Sequence, residues 1–296
     1  MSVTTRTPAA LRPAPEQPHP RSRGHRERRN VAGAVLGVVW LAIIIVPIYY
    51  VVLTSFSEQG EFYTRNPLVP PADPTLGAYG EVVASGIARY FFNSVVVTAA
   101  TVVVTVTVCL LAAYTIVRST RRLVRASYSL FLLGLAVPLQ ATIVPLFFML
   151  GQLDLYDTLL AVILPSIAFA IPITVLILVN FLRDIPRELF ESMFVDGATN
   201  TQILTRLVLP LARPAIGTVI IYDALQVWNG FLLPLVLTQS ENIRVLPLAL
   251  WNFQGQFSIN VPATLAAVIL SAVPVLVLYV LARRQLVSGL TAGVGK

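Results

Sequence analysis

Charge, lysine, histidine and cysteine are all scarce in this chain, and each shortage excludes a class of function. Charged residues are 12% of the 296, against 56% apolar, and mean hydropathy is +0.78. A water-soluble domain of this length does not tolerate that balance, so the bilayer is its solvent. The only lysine is Lys296, which leaves no residue for a phosphate-binding loop of the G-x-x-x-x-G-K-[ST] type. Any ATP used is therefore hydrolysed by another chain. Both histidines, His19 and His25, lie in a polar N-terminal segment, which removes the usual general base from the apolar runs. Cys109 is alone, so there is neither a disulfide framework nor a cysteine metal site, and it reads as a small packing residue. The net charge of +7 is spread through loops and gathers into no aromatic-interleaved patch, which argues against nucleic acid as a partner.

What is abundant is long apolar runs. Crossing ~30 Å of hydrocarbon takes roughly 20 apolar residues in a helix, because every backbone polar group must be satisfied internally. Six runs qualify, at about 31–56, 90–117, 127–150, 158–182, 214–238 and 261–282. Arginine and lysine concentrate in the N-terminal tail, in the second and fourth connections and after the sixth run. The other side holds only Arg65, Arg89 and Arg244. This asymmetry predicts an all-α integral membrane protein with six transmembrane helices and both termini cytoplasmic. The expected organisation is a disordered basic tail at 1–30, an uncleaved membrane domain at 31–282 with a cytoplasmic loop at 183–213, and a short tail at 283–296.

The fourth connection is the most organised polar stretch. Pro186 suits a helix start, and acids follow it at Glu188 and Glu191. Asp196-Gly197-Ala198 reads as a helix-ending turn, since glycine admits the left-handed conformation. A second helical stretch is expected from about Thr199 to Val208, stopping at Leu209-Pro210. Two short helices joined at Gly197 make a compact knob.

This segment resembles the signature of permeases of ATP-binding cassette importers, E-A-A, three residues, G, nine residues, I-x-L-P. Here Glu191-Ser192-Met193, Gly197 and Leu207-Val208-Leu209-Pro210 stand at that spacing without a gap. The Asp-Gly-Ala turn and the run Arg206 to Pro214 look like the carbohydrate branch. Trp228-Asn229-Gly230, Leu246-Pro247-Leu248, Asn252-Phe253-Gln254-Gly255 and Gly289 to Gly293 are similar to the second permease of maltose-type importers. Ser192 and Met193 replace the two alanines of the pattern, Phe194 replaces a common basic residue, and Gly230 replaces a common aspartate.

The resemblance implies a type I importer permease in a bacterial cell membrane, taking up a sugar of disaccharide or oligosaccharide size. It implies a heterodimer with a second permease, a dimer of nucleotide-binding ATPase subunits carrying ATP and Mg, and an extracytoplasmic substrate-binding protein. No cofactor and no metal is expected on this chain. Glu188, Glu191, Ser192, Asp196, Gly197, Ala198, Leu209 and Pro210 would form the coupling helix that seats in the ATPase, and Ser288 to Lys296 would reach toward the same partner.

On the fifth run Tyr222, Gln226 and Asn229 recur on one helical face, beside Asp223. Polar groups at that depth are costly, so they should face a cavity or a neighbouring helix. With Trp228 they are the candidate substrate pathway, offering amides, a carboxylate and ring faces to sugar hydroxyls and apolar ring faces. Rival readings are a permease of the same architecture for another solute, a proton-coupled transporter using Asp223, and a serine-based intramembrane enzyme.

Overall fold

The computed structural model describes residues 31–64, 66, 68–253 and 259–292. The expected tail at 1–30, Arg65, Gln254, Gly255 and residues 293–296 lie outside them. The chain divides into two units, residues 1–45 and 46–296. In order, the helices are α1 (Val31–Ser55), α2 (Gln59–Phe62), α3 (Gly77–Ala84), α4 (Ile87–Arg118), α5 (Arg122–Leu133), α6 (Leu139–Gln152) and α7 (Leu159–Arg183). They continue with α8 (Arg187–Val195), α9 (Asn200–Ile203), α10 (Leu209–Trp228), α11 (Leu232–Leu237), α12 (Leu246–Ala249) and α13 (Val261–Ala292).

Among the described residues four helices are long and apolar enough to cross a bilayer: Gly33–Ser55, α4, α7 and Asn200–Trp228. The pair Arg122–Ala136 and Leu139–Gln152 forms a fifth if read as one broken span, and Val261–Val277 is a shorter apolar helix.

The core of the second unit is the pairing of α4 with α7, its most extensive helix contact. The buried stripe of α4 recurs every three or four residues and includes a row of small side chains, Thr101, Thr105, Cys109 and Ala113. Small residues let two backbones approach closely where the surrounding lipid gives no hydrophobic drive for association. Val175, Leu178, Val179 and Leu182 of α7 pack into the same cluster.

Three sequence expectations are corrected. The third span, expected as one helix over 127–150, is two helices bent by 100°. Val137 precedes Pro138 and takes an extended conformation, as the proline ring demands of its neighbour, and a 3-10 turn at Gly134–Ala136 closes the first half. At that turn a Cβ on Gly134 would meet the Pro172 ring at 2.6 Å, so only glycine fits against α7. Next, the knob's second helix does not stop at Leu209-Pro210. The chain stays helical from Asn200 to Trp228. Pro210 has no N–H for a helical bond, and the ladder accommodates it by widening into a π turn at Leu204–Val208, where the Leu209 N–H donates to the Leu204 carbonyl. Finally, the fifth span ends at Trp228 rather than running to Thr238, and α11 follows a break at Asn229–Phe231. The Asn229 amide donates to the Leu225 carbonyl at 2.8 Å and so consumes a terminal acceptor of α10.

The last helix also runs further than the expected sixth span, with backbone helical to Ala292. On the side expected to face outward, the loop 239–246 is sealed to the helices. The Asn93 amide donates to the carbonyls of Asn242 and Arg244, both at 2.9 Å. Asp157, at φ 61°, accepts the N–H groups of Gln239 at 2.7 Å and Ser240 at 2.9 Å, and the Ser240 hydroxyl. The Ser240 hydroxyl foremost, with the two N–H groups, holds the Asp157 carboxyl below the usual carboxylate range.

Candidate functional site: a knob, a continuous helix and a cavity

The knob begins at Pro186, the N-cap of α8, with Glu188 in the first turn. Its end is a complete Schellman motif. The Ala198 N–H donates to the Met193 carbonyl at 2.9 Å and the Gly197 N–H to the Phe194 carbonyl at 3.0 Å, with Gly197 at φ +78°. Thr199 then opens α9 through a capping box with Gln202. The chain thus reverses within the four residues Asp196 to Thr199 without leaving these terminal N–H groups unmade.

One face of this knob belongs to the membrane core. Phe190 is 3% exposed and sits with Ile185, Ile203 and Val208 in the cluster that holds α4 and α7. Arg118 stacks its guanidinium over the Phe190 ring at 5.0 Å. The opposite face is bare. Phe194 is 68% exposed and Val195 85%, with Glu188, Glu191, Ser192 and Asp196 exposed around them. Ala198 and Leu209 are partly buried against the core, and Pro210 is an exposed member of the helix. The residues expected to couple therefore divide into an outward set and an inward set.

From Asn200 a helix of 29 residues leads to Trp228. At 1.5 Å per residue it spans about 43 Å, longer than the ~30 Å hydrocarbon layer is thick. Near its far end lies a cavity of about 250 Å³, lined by Tyr222, Asp223 and Gln226 together with Ser166 and Phe169 of α7. Asp223 is 1% exposed. The Thr174 hydroxyl donates to its Oδ2 at 2.9 Å, and among the described residues Oδ1 has no hydrogen-bond partner.

Three of the five predicted pathway residues thus meet at one cavity. The other two do not. Asn229 caps α10, and the Trp228 ring turns the other way, its Nε1–H donating to the Ser271 carbonyl at 3.2 Å and its edge against Phe91. Sequence reasoning missed Thr174, Ser166 and Phe169. Thr174 is one of many hydroxyls in apolar runs, and nothing in its spacing marks it as the partner of an acid 49 residues away.

Helices long and apolar enough to cross a bilayer, a capped, two-faced knob and a largely apolar cavity that holds a buried carboxylate are parts suited to a membrane transport protein. The chain belongs to the family of binding-protein-dependent transport system inner membrane components, whose model matches residues 106–286 and so takes in both knob and cavity. It is similar to a putative ABC transporter permease of Caldicellulosiruptor, 35% identical over 87% of this chain and 94% of that protein. It is also similar to a diacetylchitobiose uptake system permease of Streptomyces coelicolor, 31% identical over 92% of this chain and 91% of that one. Among solved structures, a bacterial ABC transporter involved in import of the acidic polysaccharide alginate shares the fold, with a TM-score of 0.76 at 21% identity over 86% of this chain and 95% of that chain.

Proposed function

We propose that this chain is one of two membrane subunits of an ATP-driven importer and forms with its partner the pathway for a disaccharide or oligosaccharide. The observation that carries the reading is the continuous helix from the capped knob to the Asp223 cavity. A knob welded at Phe190 to the core moves with the spans, so displacement by an ATPase at Phe194 and Val195 is delivered to the cavity wall as a rigid-body shift. ATP and Mg belong to that ATPase, and an extracytoplasmic binding protein delivers the cargo. Tyr222, Gln226 and the free Oδ1 of Asp223 present donors and acceptors suited to hydroxyls, and Phe169 supplies a ring face. A sugar cargo is supported by the diacetylchitobiose relative and by a multiple sugar-binding transport system permease of Streptococcus mutans, 30% identical over 88% of this chain. The proposed topology keeps six spans, with both termini and the loop 183–213 in the cytoplasm.

The test is a pull-down from native membranes in mild detergent, followed by uptake in proteoliposomes. Co-purification of a second permease and an ATPase, with uptake of a labelled disaccharide that requires ATP and survives collapse of the proton gradient, is the expected result. A lone chain whose uptake fails with the proton gradient overturns it.

A further inference from the structure

A second cavity, of about 410 Å³, opens at the foot of the bundle where α4 and α7 end and α5 and α8 begin. Arg118, Arg125, Arg183 and Arg187 line it, and Glu191 is the only acid that does among the described residues. Two of these guanidinium groups are already oriented. Arg118 lies over the Phe190 ring and Arg183 over the Tyr128 ring, each at 5.0 Å. A guanidinium held over an aromatic ring keeps its in-plane N–H donors available, and such a fork suits a phosphate. Arg125 spends one donor on the Thr120 carbonyl at 3.0 Å, which holds it at the rim.

The surroundings say what bears the phosphate. Arg118 is the last residue of a membrane span. Val104, Val108, Leu111 and Thr115 recur at four, three and four residues below it, an exposed strip of α4 that leads up the span to the cleft. An apolar strip ending in a basic pocket is the shape of a lipid, with its chain against the helix and its headgroup among the arginines. We propose that this cleft binds the phosphate of an anionic phospholipid, with an acyl chain along the α4 strip. The lipid then sits behind the knob. Phe190 is shared by the cleft and the core, and Glu191 belongs to both the cleft and the exposed face of the knob. The inference rests on the proposed topology only for the leaflet it names, the cytoplasmic one.

Native mass spectrometry of the full chain, released from nanodiscs of equal phosphatidylglycerol and phosphatidylcholine, reads occupancy without any transport step. It therefore stands or falls separately from the sugar reading. One phosphatidylglycerol retained per chain is expected, falling about tenfold in Arg118→Gln/Arg183→Gln and unchanged in Arg206→Gln, whose one lost charge lies outside the cleft and matches that of Arg125→Gln. Arg125→Gln, on the rim, should lower retention less, and it keeps the test decisive should the double variant fail to fold. Equal retention of both lipids, or equal loss in Arg206→Gln, overturns the proposal. Displacement by millimolar inorganic phosphate would assign the cleft to a free anion, and displacement by the co-purified ATPase would assign it to that protein. Either outcome overturns it too.

Discussion

The two ends of the helix Asn200–Trp228 are built on opposite rules. At the knob the N–H groups of Gly197, Ala198 and Thr199 all find acceptors, and a buried phenylalanine anchors the turn. At the cavity a carboxylate oxygen is buried with nothing to accept from among the described residues. A buried polar atom without a partner costs about 1 to 3 kcal/mol, which a ligand hydroxyl would offset. The contrast separates two tasks. A lever must be locally over-determined so that it does not yield where it is pushed, whereas a binding surface must keep some capacity unspent.

The knob is where the largest effect is expected. Proline at position 197 would force φ from +78° to about −65° and delete the N–H that bonds Phe194, a distortion of about 3 kcal/mol in a turn with no slack. Gly197→Pro should insert normally in the membrane yet lose ATP-driven uptake by about a hundredfold, while Gly197→Asn, which tolerates the left-handed conformation, keeps most of it. Uptake in proteoliposomes, normalised to inserted protein, decides. A well-inserted Gly197→Pro chain that transports normally would reduce the knob to a plain connection.

At the cavity end stability and uptake should move in opposite directions. Asp223→Asn retains an oxygen to accept from Thr174, and it removes an ionisable group whose cost at membrane depth is about 2.5 to 3.5 kcal/mol on insertion scales. Thermal unfolding in detergent should therefore hold or rise while uptake falls about tenfold, as expected when a binding group rather than a structural one is altered. If both fall together, Asp223 is packing glue between α10 and α7 and the cavity is not the pathway.

How far these contrasts could be read from sequence follows from their physics. The knob is local. Gly197 and Thr199 act on residues within five positions, so spacing alone revealed it, along with the polar face of Tyr222 and Gln226. The bend at Pro138 and the continuity through Pro210 are not legible in the sequence because one proline signal serves two outcomes. Before α6 the preceding residue turned extended, and at Leu204–Val208 the ladder widened instead. Tertiary packing chose between them, as Gly134 against Pro172 illustrates. The Thr174 hydroxyl and the Phe190 anchor were illegible for the same reason, each being defined by a partner on another helix.

The clasp at Asp157 sharpens the comparison by resembling the knob in satisfaction while lying off the lever. Its carboxylate takes three donors from Gln239 and Ser240 across the loop, and its backbone is left-handed, which aspartate and asparagine tolerate better than alanine. Asp157→Ala should cost about 1 to 2 kcal/mol of stability, and Asp157→Asn less, since it keeps one acceptor. Uptake by either protein at moderate temperature should stay within about twofold of the parent, because satisfaction stabilises here without transmitting anything. The pH behaviour has a fixed sign. A carboxyl held below its usual range adds stability that is fully present above the unfolded value of about 3.9, and that stability is lost only as pH falls through the lower folded value. The difference in unfolding temperature between parent and Asp157→Ala should thus be flat from about pH 8 to 5 and shrink in stronger acid. A large loss of uptake in Asp157→Ala at unchanged stability would mean that the loop 239–246 itself takes part in transport, and that completeness of hydrogen bonding marks moving and static elements alike.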